Sequence, residues 1–240
     1  MHRLVVFRRT LQARGLPRRV DPEEPMKMDY CRPARLCASA LGLACVLSTT
    51  GAAALEADTS VDAQALVRWV LDAGDNAGAP FAVVDKRQAR LTLFDGQGRA
   101  LAHTPVLLGL ARGDLSVPGI GEREMKDIRP EERTTPAGRF MAEPGRNADG
   151  DDVFWIDYDA AVSMHRVRVT DPAERRLQRL ASPTSADNRI SYGCINVPAR
   201  FYDRYVKPLL SGGRSVVYLL PDTLPVDRVF PGLRGARSGN

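Results

Sequence analysis

The chain has 240 residues, with 34 Lys+Arg against 29 Asp+Glu and a formal net charge of +5. The excess sits at the N-terminus: the first 54 residues hold 9 basic and 4 acidic side chains, leaving 25 of each in residues 55–240. A body of that length has room for one proper core, and its balanced charge offers no basic surplus for nucleic acid or an anionic membrane.

Residues 1–54 read as an upstream extension plus signal peptide. Lys27, Arg32 and Arg35 form a basic leader, Leu36 to Leu47 is an apolar run, and "GAAALE" supplies small residues before a cleavage near Ala54. "DPEEP" places acids where a leader is basic, so the expected start is Met26 or Met28. The apolar run is shorter than the about 20 residues of a membrane span. An exported chain beginning near Leu55 and keeping no stable membrane span is expected. Cys31, Cys37 and Cys45 leave with the leader, so Cys194 remains alone and no disulfide framework is possible.

Residues 55–79 predict a short N-terminal helix and a linker. In "SVDAQALVRWVLDA", Ser60 caps the helix and Val61, Ala65, Leu66, Trp69 and Val70 form its apolar stripe. Residues 80–222 change to strand texture. "FAVVDK" and "ARLTLFD" predict a hairpin turning at "KRQ". "LARGDLSVPGIGEREMKDIRPEE" is a long loop punctuated by Gly and Pro, of the kind that often carries function. "RTTPAGRFMAEPG" and "VFWIDYDAAVSMHRV" resume strands, and "DPAERRLQRLASP" predicts a short helix. "ARFYDRYVKPLL" predicts another helix and "SVVYLLP" a final buried strand, while 223–240 reads as an extended or disordered tail. Strands dominate, so the fold class is mainly β with helices packed outside.

Cys194 lies in "RISYGCINVP". A lone thiol in an oxidising compartment is either a small buried hydrophobe or a reactive group. Reactivity needs the thiolate, hence a base or a positive environment. Beyond the leader the chain has two histidines, His103 and His165. His103 falls on an early strand where a surface or core role is ordinary; His165, at a strand end ahead of the cysteine, is the better partner. Gly193 lets the backbone approach a substrate, and small neighbours let successive N–H groups face one hollow. One Cys and two His at no ligand spacing imply no metal, and no cofactor is expected.

Together, His165, the "SYGCIN" motif, "TTPAGRF" upstream and the opening "FAVVDKRQARLTLFDGQGRALAHTPVLLG" resemble the L,D-transpeptidase catalytic domain, the YkuD-like family, over about residues 81–222. The resemblance implies an L,D-transpeptidase-type β sandwich with a few peripheral helices. It implies Cys194 as nucleophile, His165 as general base, and the Arg166 backbone carbonyl as the group that orients the imidazole. The N–H groups of Tyr192, Gly193 and Cys194 would form the oxyanion hole. Ser191 would support the site and Asn196 would bind substrate. Implied partners are peptidoglycan stem peptides in the periplasm: a cysteinyl thioester forms with a tetrapeptide and passes to an amine, and carbapenems should acylate the same thiol. Two other outcomes are an L,D-carboxypeptidase or related hydrolase, and a catalytically silent wall-binding domain. Two features depart from the family: Tyr192 stands where histidine is usual, and the gap from His165 to Ser191 is several residues longer.

Overall fold

The computed structural model describes residues 59–213 and 215–236; the expected leader at 1–54 lies outside them. Strands β1 (Phe81–Asp85), β2 (Arg90–Phe94), β3 (Ala100–Pro105), β4 (Leu108–Gly109), β5 (Gly138–Met141) and β6 (Glu143–Arg146) occupy the first half. Strands β7 (Asp152–Asp157), β8 (Val162–Arg166), β9 (Arg189–Ser191), β10 (Ile195–Val197) and β11 (Val216–Leu220) follow. They form a five-stranded sheet in the order β3-β2-β1-β11-β5, a four-stranded sheet in the order β10-β8-β7-β6, and the pair β4-β9. The mainly β expectation holds, and few helices accompany the sheets.

The central strands β1, β2 and β11 of the five-stranded sheet are buried on both faces, while the edge strands β3 and β5 are partly exposed. Because side chains alternate along a strand, Ala82, Val84, Leu91, Leu93, Val217 and Leu219 pack toward the four-stranded sheet, against Phe154, Met164, Ile195 and Val197. The opposite set, Phe81, Val83, Phe94, Val216, Tyr218 and Leu220, packs on helix α1 (Val61–Asp72). Ser60 caps α1 by accepting a hydrogen bond from the Ala63 N–H at 3.2 Å. Its buried stripe is Ala63, Leu66 and Val70. Val61, expected in that stripe, is 74% exposed instead; as the first helical residue it points away from the sheet, and Ala63 fills the inward position.

Helix α2 (Arg176–Leu180) lies in the segment between β8 and β9. The predicted helix after β10 spans 199–210 and includes a π turn at Tyr202–Val206. Call it α3: Tyr202, Val206 and Leu210 enter the core between the sheets. The segment expected to be an extended tail differs most from expectation. It forms α4 (Val226–Val229) and α5 (Leu233–Ala236), with Val226, Phe230 and Leu233 buried against the α1 side of the sheet. A charged, Gly- and Pro-bearing sequence hides the three apolar residues that close this second core.

The long loop contains three single 3₁₀ turns, Ile120–Glu122, Met125–Asp127 and Pro130–Glu132. Glu132 organises it, accepting from both terminal nitrogens of Arg123 at 3.0 Å and from the Arg129 N–H at 2.9 Å. This delivers the chain to Arg133, Thr134 and Thr135, beside the turn that carries Cys194.

Candidate active site

Residues 192–194 form the turn that leaves β9, paired with β4, and enters β10, paired with β8. β10 and β8 run parallel with Ile195 opposite Met164 and Asn196 opposite His165. That register brings a residue at the mouth of β10 beside one at the end of β8, although 28 residues separate Cys194 from His165 in sequence. Gly193 makes the turn possible. Its φ is +131°, and a Cβ there would stand 2.8 Å from the Thr134 carbonyl oxygen.

The Cys194 side chain, half-buried, interacts electrostatically with His165, and its Sγ lies 3.7 Å from the Ala161 carbonyl oxygen. His165 Nδ1 lies 2.7 Å from the Arg166 carbonyl oxygen. A carbonyl only accepts, so Nδ1 carries the proton and Nε2 is the nitrogen left for the thiol. Burial pushes the thiol up, but the hydrogen bond and charge of His165, aided by the Ser163 N–H and hydroxyl, outweigh it and hold Cys194 at about 7. Burial lowers His165, yet the hydrogen bond and negative charge of Cys194 raise it above the usual histidine value. Each group thus favours the charged form of the other. Ser163 Oγ is 3.6 Å from Cys194 Sγ. Sequence reading missed Ser163, although strand alternation places 163 and 165 on one face of β8.

The Arg166 side chain fixes the strand that carries His165. It pairs with Asp152 at 3.0 Å and with Asp203 on α3 at 2.5 Å, and stacks over Tyr202 at 4.5 Å. A cavity of about 240 Å³ opens beside His165, bordered by Asn147, Asp151, Asp152, Arg168 and Ala199.

Ser191 is buried and works inside the turn: its hydroxyl donates to the Cys194 carbonyl at 2.7 Å and accepts from the Gly193 N–H at 3.1 Å. That second bond corrects the expected three-donor hollow. The Gly193 N–H is occupied within the turn, which leaves Tyr192 and Cys194 as the remaining donors of the trio. Asn196 is also corrected. It is 1% exposed, its Nδ2 donates to the Cys194 carbonyl at 3.2 Å, and its Oδ1 accepts from Arg176 at 2.6 Å. With both ends engaged and no surface exposed, Asn196 braces the turn and does not face a substrate. Arg176, on the extra segment before Ser191, was not foreseen; its positive charge also acts on His165 in the lowering direction.

Tyr192 lies under Arg133, whose guanidinium carbon is 3.9 Å from the ring centroid. The phenol therefore serves as a stacking surface. His103 sits on β3, the edge strand of the other sheet, opposite Thr92. Among the described residues no group of His, Cys, Asp and Glu could hold a metal ion, and no helix is long and apolar enough to cross a membrane.

No protein-family profile matches this chain, and no curated protein matches it. Solved structures do. The chain is similar to the catalytic domain of an E. faecium L,D-transpeptidase, at 19% identity and a TM-score of 0.34 over 60% of this chain and 98% of that one. It is similar to the Campylobacter jejuni helical cell shape determining protein Pgp2, at 12% identity and TM-score 0.40 over 61% of this chain and 49% of that one. It is also similar to Mycobacterium tuberculosis L,D-transpeptidase 1, at 16% identity and TM-score 0.34 over 59% of this chain and 61% of that one. At such identities and scores no reaction is transferred to this chain from them; its chemistry rests on the geometry above.

Proposed function

We propose that this protein is a periplasmic peptidoglycan L,D-transpeptidase, with residues 80–222 as the catalytic domain and residues 1–54 as the export signal and its upstream extension. The observation that carries the reading is the Cys194–His165 pair, with Nδ1 of the imidazole fixed on the Arg166 carbonyl. A thiol held near 7 beside a correctly oriented imidazole suits nucleophilic attack on an acyl carbon. The "SYGCIN" and "TTPAGRF" motifs resemble those of the L,D-transpeptidase family, which gives the acyl carbon its identity.

In the reaction, His165 takes the thiol proton and Cys194 Sγ bonds to the carbonyl carbon of residue 3 in a stem tetrapeptide. The resulting oxyanion is held by N–H groups of the turn, with Cys194 N–H foremost. Collapse breaks the amide to residue 4, and His165 returns the proton to the departing amine. The thioester then passes to an acceptor amine, whose proton His165 receives in turn. Transfer to water would make the same site an L,D-carboxypeptidase; a wall-binding domain without chemistry would have no use for an acidified thiol.

Purified disaccharide-tetrapeptide incubated with the full chain and analysed by mass spectrometry tests the assignment. Transpeptidation gives a dimer linked between third residues. A tripeptide alone would move the assignment to the hydrolase, and unchanged substrate would refute both.

A further inference from the structure

Thr135 is fully buried, 58 residues from Gly193 in sequence, and its hydroxyl meets the nucleophile turn. The Gly109 N–H points at Thr135 Oγ1 at 2.8 Å, and Oγ1 lies 2.8 Å from the Gly193 carbonyl oxygen. The roles are therefore fixed. A backbone N–H can only donate and a carbonyl can only accept, so the single hydroxyl proton goes to Gly193. Thr135 is itself held. Its carbonyl accepts from Lys86 Nζ at 2.7 Å, and Lys86, fully buried, is anchored by Asp114 at 2.9 Å and the Gly113 carbonyl at 2.6 Å. The same buried cluster holds the strand entering the turn, since Arg189 donates to Asp222 at 2.7 Å and also to the Lys86 carbonyl.

The peptide unit between Gly193 and Cys194 is planar and trans, so its C=O and N–H point in opposite directions. A hydrogen bond that pins the carbonyl inward pins the N–H outward. Glycine at φ +131° offers little resistance of its own to rotation of this unit. We propose that Thr135 is a positioning residue: by holding the Gly193 carbonyl, its hydroxyl aims the Cys194 N–H at the place where an oxyanion forms. The proposal rests on the acyl-transfer reading above, but not on the identity of the acyl donor.

Two small probes separate aiming from general support. p-Nitrophenyl acetate acetylates a thiolate through a tetrahedral oxyanion: the S–acetyl bond forms, the ester C–O bond breaks and p-nitrophenolate leaves. Iodoacetamide alkylates at a saturated carbon with loss of iodide, and forms no oxyanion. Both reactions are followed at the Cys194 peptide of the full chain by mass spectrometry, for wild type, Thr135→Val and Thr135→Ser. Loss of an oxyanion donor typically costs about 10²–10³-fold, and a misdirected donor should cost somewhat less. Thr135→Val is expected to acetylate about 10–100-fold more slowly and to alkylate within about threefold of wild type across pH 5–9. Thr135→Ser, which keeps the hydroxyl, should restore acetylation to within about threefold of wild type. If Thr135→Val does not fold, Thr135→Ala carries the same comparison. Equal losses with both probes, acetylation within threefold of wild type without the hydroxyl, or a wild-type Cys194 that is never acetylated would each overturn the proposal. Inactivity of wild type on stem peptides alongside the expected acetylation pattern would refute the transpeptidase reading and leave this one standing.

Discussion

A thiol taken out of water ordinarily resists ionisation, because burial disfavours its charged form. At Cys194 the imidazole of His165 reverses that preference and brings the thiol to about 7. A lowered pKa means the thiolate is populated from lower pH upward. Alkylation of Cys194, plotted against pH, should therefore rise with a midpoint near 7, below the about 8.5 of a free cysteine. In His165→Ala burial is opposed only by the Ser163 N–H and hydroxyl, so the midpoint should rise; an unmoved midpoint would disprove the pairing. The same pair predicts unequal mutant effects on acylation. His165→Ala should cost about 10²–10⁴-fold, the usual worth of acid–base assistance. Tyr192→Phe keeps the ring that stacks on Arg133 and loses at most one hydrogen bond, about tenfold or less. Single-turnover acylation of each variant measures both, and equal mild losses would remove His165 from the role of base. Cys194 and His165 could be paired from sequence because few candidates competed. Ser163 and Arg176 could not: a serine and one arginine among many carry no local mark. Thr135 lies within the "TTPAGRF" motif, but its contact with the turn exists only after distant segments meet.

At the level of elements, the strands were legible from their β-branched, apolar runs, and the caps and turns from Ser60 and the Gly/Pro punctuation. The two-sided burial of the central strands of the five-stranded sheet was only half visible. "SVVYLL" announces a buried strand, but nothing local says what covers its second face. The cover is α1 with α4 and α5, closed by Phe230, whose ring centroid is 6.4 Å from Trp69 and 6.3 Å from Tyr218. Short helices around isolated apolar residues give too little periodicity to be read. Phe230→Ala should cost about 3–5 kcal/mol, the range for emptying a buried aromatic site. Urea denaturation checks it: a loss under 1 kcal/mol would return residues 226–236 to the status of a loose tail. The site faces the other core, so acylation by the folded variant should stay within about twofold of wild type, consistent with additivity between distant positions.

Across the whole molecule, one buried ionic cluster joins parts that the sequence keeps far apart. Lys86 follows β1, Asp114 opens the long loop, Arg189 starts β9 and Asp222 follows β11. Burial lowers Lys86, while hydrogen bonding and charge from Asp114 and Asp222 act to raise it; the net direction is down. Asp114 is pushed up by burial but is held far below the usual carboxylate range by Thr223, Lys86 and the N–H groups of Asp222 and Leu224. A depressed carboxylate contributes stability that is present above its unfolded pKa and is lost as pH falls through the folded one. Asp114→Asn should therefore destabilise by about 3–5 kcal/mol at neutral pH, the cost of breaking a buried pair, and by much less at low pH. Chemical denaturation at two pH values reads this, and an equal loss at both would contradict it. Formally charged residues in a core look like surface residues in a sequence, which is why no local pattern revealed the cluster.

The central claim is that Cys194 accepts an acyl group from a stem peptide, and the acyl-enzyme itself is the most direct witness. The full chain is mixed with disaccharide-tetrapeptide, quenched in acid within its first turnover and digested, and the Cys194 peptide is weighed. The account predicts a mass increase equal to the disaccharide-tripeptide acyl group, labile to hydroxylamine as a thioester is, and no such adduct anywhere in Cys194→Ala. An adduct that persists in Cys194→Ala, or product formation with Cys194 unmodified at every quench time, would contradict it.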